Sequence, residues 1–211
     1  MPEPIATFVW DAALGRYREP PLGRLVSEAR IQGALRTVIQ DSGERLAQLT
    51  AQQFQGARDL LEWRIAMARE LRTSYGVASS LASGGLAQMG PRERGLLGAT
   101  LRHQGDFLSR FALDLAQGRL TEAEALARAR LYAGGAHSAY EAFRRRDAER
   151  RGHSQERNIL GSGESCEQCR AESAKEWQPL GVLSLPGTRT CKSNCRCRLV
   201  TRVAPPAEEA A

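Results

Sequence analysis

The chain has 211 residues, 42% hydrophobic but only 6% aromatic, a balance that favours helices with Ala/Leu interfaces over a β-sandwich. Its formal charge is +6, carried by 28 Arg against two Lys, Lys175 and Lys192. No apolar run approaches the roughly 20 residues a membrane-spanning helix needs, so a membrane partner is not expected.

Residues 1–26 read as an extended N-terminal arm. Pro2, Pro4, Gly15, Pro20, Pro21 and Gly23 punctuate it, and Phe8, Val9, Trp10, Leu14, Tyr17 and Leu22 are its apolar anchors. Such an arm either packs on a neighbouring protein or straps the chain's own helices. Residues 27–152 read as a helical body, with Ser27 as the first N-cap. Apolar residues then recur every three or four positions from Leu35 through Tyr75, the mark of one helical stripe. Unbroken, that helix would run about 70 Å. Gly43 and Gly56 are the two places where it can bend or break. A helix of such length suits pairing with another helix or lying along a partner.

Residues 76–90 carry Gly76, Ser79, Ser80, Ser83, Gly84, Gly85 and Gly90 and read as a connector. Pro91 opens the next helix and Gly118 stops it. Thr121 and Glu124 form a capping box before a third helix, in which Gly134-Gly135 permits a kink or a close approach. That helix ends in a basic run, Arg144, Arg145, Arg146, Arg150 and Arg151, interleaved with Asp147 and Glu149. The run either contacts DNA phosphates or is a solvated helix end matched to the dipole. His103 and His137 stand alone in helical patterns, no catalytic constellation is present, and no enzymatic activity is expected.

Residues 153–203 form a Cys-rich module. All five cysteines lie here, as Cys166-x2-Cys169 and Cys191-x3-Cys195-x-Cys197. Two short knuckles with a gap between them suit a tetrahedral metal site, and a module of about fifty residues gains folding free energy from bound Zn2+. A disulfide framework is the rival chemistry. The odd count and the absence of an apolar leader after Met1-Pro2-Glu3-Pro4 argue against it. A reactive thiol is the third, and no nearby group would activate it. Cys166 and Cys169 make one ligand pair. Cys191 with Cys195 is the preferred second, Cys195 with Cys197 the alternative, and His153 a fallback ligand. Strands are expected over 157–160 and 196–203, with a short helix over 167–177. The fold class is therefore mainly α with a small C-terminal α+β, zinc-stapled module. Residues 204–211 read as a disordered tail.

The residues of this module carry a resemblance. Asn158-Ile159-Leu160-Gly161, Cys166-x2-Cys169, Trp177, Leu185-Pro186-Gly187 and Cys191-x3-Cys195-Arg196-Cys197-Arg198-Leu199 resemble the C-terminal signature of the tailed-phage head-morphogenesis family, the Mu F-like minor head proteins. The likeness covers residues 156–203. Many members have a His before the first Cys, where this chain has Ser165, and a His-Pro-x-Cys-Arg-Cys ending, where it has Cys191 and Asn194. Tyr17-Arg18 and Gly23-Arg24-Leu25-Val26-Ser27 are similar to a short motif near the start of some phage head-associated proteins. The resemblance implies a structural virion protein, present in few copies inside the head or near the portal. Its expected roles are head assembly and DNA packaging or delivery. Its expected partners are portal or other head proteins, reached through the long helix and the arm, with possible contact to packaged DNA. It would occupy the host cytoplasm during assembly and the phage head afterwards. The rival reading is a zinc-ribbon-like nucleic-acid-binding protein that uses Arg196, Arg198 and Arg202 together with the 144–151 run.

Overall fold

The computed structural model describes residues 8–21, 23–161 and 163–205. The first seven residues of the arm with Pro2 and Pro4, the anchor Leu22, and the tail from residue 206 onward lie outside the described residues.

The described part of the arm is not extended. Residues 8–21 and 23–25 fold back on themselves as an antiparallel meander of β1 (Val9–Asp11), β2 (Arg16–Glu19) and β3 (Arg24–Leu25). The Asp11 carboxylate makes this turn locally: it accepts the backbone N–H groups of Ala13 and Leu14 at 3.0 and 3.1 Å. The meander straps the chain's own helices. The Tyr17 hydroxyl donates to the Leu81 carbonyl at 2.7 Å. Trp10 lies against Gly84, where any Cβ would fall 2.5 Å from the indole.

The stripe expected to make one long helix makes two. α1 (Glu28–Phe54) and α2 (Leu60–Ser83) are separated at Gly56, whose φ of +72° is left-handed. Asp59 then caps α2 in a reciprocal box with Glu62. The pairings run antiparallel: the Trp63 indole donates to Thr50 at 3.1 Å, and Arg45 meets Glu70 at 3.1 Å. At 1.5 Å per residue the two helices span about 40 and 36 Å. Gly43 does not interrupt α1. It lets the backbone of a later helix, at Arg130, come within 4 Å of where its Cβ would be.

The expected connector over 76–90 is helical as far as Ser83, and only 84–90 link to the next element. Two of the serines that marked a hinge belong to a packed helix face: Ser79 and Ser83 are buried, with Ala78 beside them. α3 (Pro91–Ala116) opens on Pro91, and α4 (Glu122–Arg150) opens on the Thr121–Glu124 capping box, both as the sequence reads. α4 is the central element, touching α1, α2, α3 and the C-terminal module. Gly134-Gly135 leaves it unbroken. At Gly135 a Cβ would lie 1.8 Å from the Tyr75 hydroxyl, which donates to the Tyr132 carbonyl at 3.1 Å. Trp63, Tyr75, Phe111, Tyr140 and Phe143 fill the core between the helices.

The module is a three-stranded antiparallel sheet, β5–β4–β6, with one helix. β4 is Gln155–Ile159, α5 is Glu167–Ala174, β5 is Gln178–Pro179 and β6 is Arg198–Arg202. The chain is thus a helical body carrying a small α+β Cys-rich module. Among the described residues no helix is long and apolar enough to cross a membrane.

Candidate metal centre

The two knuckles, with 21 residues between them in sequence, meet. Cys166 is the N-cap of α5 and Cys169 lies in its first turn. Cys191 precedes a 3-10 turn over Lys192–Asn194, and Cys195 ends it. The five sulfurs form two overlapping groups, Cys166–Cys169–Cys191 and Cys169–Cys195–Cys197, each with its members within 4.8 Å of one another. Cys169, fully buried, belongs to both. Its sulfur is 3.5 Å from that of Cys191 and 3.8 Å from that of Cys195. Thiolates around one tetrahedral zinc, with Zn–S of about 2.3 Å, are about 3.8 Å apart. All five are free thiols. The cluster can hold a metal ion. A cavity of about 600 Å³ opens over it, walled by Arg36 and Gln40 of α1, and provides a way in past the partly exposed Cys166 and Cys191.

Electrostatics distinguishes the thiols. The Cys166 thiol is drawn down to about 7, chiefly because the backbone N–H of Cys169 is donated to its sulfur. Burial pushes Cys191 up to about 12, and pushes Cys169 higher still. The Arg189 guanidinium beside Cys169 opposes that rise. A divalent cation overrides such pKa values, because a coordinated thiol is deprotonated outright.

The supports around the cluster come from elements far away in sequence. Asn158 on β4 donates to the Cys169 carbonyl at 3.2 Å. His137 on α4 bonds the Cys197 carbonyl through Nε2 at 2.9 Å, and burial lowers its pKa. One helical turn on, Glu141 accepts the Leu199 N–H at 3.0 Å. Two positions need glycine, Gly161 because backbone crowds it and Gly187 because its φ is +85°. A Cβ at Gly161 would lie 2.2 Å from the Arg196 carbonyl oxygen, and one at Gly187 would lie 2.3 Å from the Ser138 hydroxyl. His153, the fallback ligand, is not at the cluster. Its Nδ1 bonds the Thr201 hydroxyl at 2.8 Å.

The basic run is engaged within the chain. Arg144 pairs with Glu28 at 2.7 Å, and Arg145 pairs with the buried Glu156 at 2.8 Å. Arg146 pairs with Glu149, and Arg150 and Arg151 both pair with Asp147. Arg151 also lies over the Trp10 ring, 4.9 Å from its centroid. Arg196 is exposed beside the cluster, Arg198 is half-buried at the start of β6, and Arg202 stacks on Trp177 at 4.0 Å. The eight candidate arginines therefore do not form one surface patch free of carboxylates.

Sequence reasoning missed Arg189, Glu141 and Glu156, and it named Asn158 and His137 without their roles at the cluster. An Arg two residues before a thiol knuckle was the only local signal for Arg189. The others are long-range partners with no signature of their own. No protein-family model matches the chain, and no curated protein or solved structure matches it.

Proposed function

We propose that this chain is a non-enzymatic minor head protein of the tailed-phage head-morphogenesis type, with a C-terminal module stapled by zinc. What carries the reading is the convergence of both knuckles on Cys169, the sulfur shared by the two thiol groups. Soft thiolates at tetrahedral spacing select zinc over hard cations. In this reading Cys166, Cys169, Cys191 and Cys195 hold the ion and Cys197 is the fifth thiol, its carbonyl fixed by His137. The residues quoted for the resemblance support the family assignment. Gly161 has no room for a side chain, Gly187 holds a left-handed φ of +85°, and Trp177 is the platform for Arg202.

The helical body then serves as the surface that meets the portal or other head proteins, with packaged DNA close by. The protein joins the head in the host cytoplasm and stays in the virion. The test is genetic and structural together. Deleting the coding sequence from its phage or prophage is expected to leave capsid shells without infectious, DNA-filled particles, and mass spectrometry of wild-type particles should detect the chain in few copies. Full infectivity without it, or its absence from purified particles, would overturn the assignment. The nucleic-acid-binding reading is disfavoured by the ion pairs that occupy Arg144, Arg145, Arg150 and Arg151.

A further inference from the structure

Arg189 is 2% exposed, the most buried cationic side chain among the described residues. Burying a guanidinium is costly unless an anion accompanies it. Yet its bonds are to neutral acceptors and to one sulfur. They are Asn158 Oδ1 at 2.8 Å, the Ser184 hydroxyl at 3.1 Å, the Ser184 carbonyl, and Cys169 Sγ at 3.7 Å. It makes no ion pair with a carboxylate among the described residues. Glu172, the buried acidic residue of α5, is bonded instead by Lys175 at 2.8 Å and by the Ser184 N–H at 3.2 Å.

With a neutral thiol at Cys169 no anion touches that charge: the Glu172 carboxylate, which feels Arg189 from beyond salt-bridge distance, is paired with Lys175. Four thiolates around one Zn2+ carry a net charge of about −2 in a buried place, and they would put an anion in direct contact with the guanidinium. Arg189 points at the one sulfur common to both thiol groups. Its other bonds hold it there: Asn158 also donates to the Cys169 carbonyl, and Ser184 sits on the loop that packs Gly187 against α4. We propose that Arg189 is a positioning residue for the metal, the built-in counter-cation of the thiolate cluster, and that zinc affinity depends on its charge. This inference rests on the zinc reading above.

The test is zinc competition against a chromogenic chelator on the full chain, comparing Arg189→Gln, Arg189→Met and Arg189→Lys. Gln keeps hydrogen-bonding capacity without charge, and Lys keeps charge without the planar fork. Loss of an outer partner of a metal ligand typically weakens binding about 10–100-fold. The Gln and Met variants are expected to lose zinc affinity by that factor, and the Lys variant to stay within about threefold of the wild type. Saturated with Co2+, all are expected to share the wild-type thiolate absorption spectrum, because the ligands are unchanged. If Met fails to fold, the Gln–Lys contrast still decides. Wild-type affinity in Arg189→Gln, equal losses in Gln and Lys, or an altered cobalt spectrum in Gln would overturn the charge role alone. A wild-type chain that binds neither zinc nor cobalt would overturn the zinc reading and this inference with it.

Discussion

Arg145 of α4 and Glu156 of β4 meet at 2.8 Å across the seam between the helical body and the Cys-rich module. Glu156 is completely buried and also accepts the Leu183 N–H at 2.9 Å, while Arg145 donates to the Leu183 carbonyl at 2.6 Å. The pair therefore fixes a strand, a helix and the loop that leads to Arg189. Removing one partner of a buried pair strands the other charge and costs roughly 3–5 kcal/mol. Glu156→Ala is expected to lower Tm by about 10 °C. The double variant Arg145→Met/Glu156→Leu should recover much of that loss, because no charge is left stranded. Equal Tm values for Glu156→Ala and the wild type, by calorimetry, would show that the seam does not depend on this pair.

The second prediction concerns the contact at Gly135. A Cβ there would sit 1.8 Å from the Tyr75 hydroxyl, in the middle of the α2–α4 interface. Tyr75 is fully buried and its hydroxyl holds the Tyr132 carbonyl, so the ring has nowhere to go. Gly135→Ala is expected to destabilise by about 1–3 kcal/mol despite the higher helix propensity of Ala. Adding Tyr75→Phe removes the clashing oxygen and should return part of the loss. Urea denaturation of the three variants measures it, and a Gly135→Ala more stable than wild type would contradict the packing described here.

Zinc removal should act on one part of the molecule. The metal contributes on the order of 10 kcal/mol to folding of a small thiolate module, whereas the helical body has its own aromatic core. Chelation is expected to speed hydrogen exchange at the β4–β6 ladder, for example at Asn158 and Leu199. Core amides of Leu46, Trp63 and Phe143 should remain protected. One zinc per chain by elemental analysis should accompany the protected state. Unchanged protection of β4 and β6 after complete chelation would mean that the cluster does not staple the module.

The sequence marked the local features well and the long-range ones poorly. The caps Ser27 and Thr121 and the opening Pro91 are written in single residues, and each starts a helix where expected. The strand and helix of the module were legible from alternation and from the first knuckle. The hinge over 76–90 was misread because Gly and Ser serve two purposes, breaking a helix or letting another pack closely, and composition does not separate them. The extended arm was misread because its turn depends on Asp11 accepting two amides, which Pro and Gly spacing does not reveal. Arg145 was grouped with its exposed neighbours because nothing local shows that Glu156 lies behind it.

The basic run yields a prediction about DNA. A surface that uses many arginines on phosphates loses affinity steeply with salt, with a logarithmic slope near −0.9 per phosphate contact. With Arg144, Arg145, Arg150 and Arg151 held by carboxylates, few such contacts are possible without breaking ion pairs. Fluorescence anisotropy with a short duplex is expected to give a slope no steeper than about −2, and Arg146→Ala should change affinity by less than about threefold. A slope near −5 would restore the nucleic-acid-binding reading.

Glu141 makes stability depend on pH at the same seam. It is fully buried on α4, one oxygen accepts the Leu199 N–H, and the other has no partner among the described residues. Burial lifts its carboxyl to about 7, against the partial opposition of Arg144, the Leu199 amide and Arg198, while Glu28 adds to the rise. The folded pKa lies above the unfolded value of 4.5, so the folded chain binds the extra proton between those limits. This contribution is fully present below pH 4.5 and is lost as pH rises through about 7. Glu141→Gln keeps an acceptor for Leu199 without the charge. It should be more stable than wild type at pH 8 by roughly 1–3 kcal/mol, with the difference shrinking as pH falls and vanishing below about pH 4.5. Comparing the two zinc-loaded proteins at each pH cancels the opposite pH dependence of the thiolates. A pH-independent difference in Tm would show that the Glu141 carboxyl ionises in the folded chain as it does in the unfolded one.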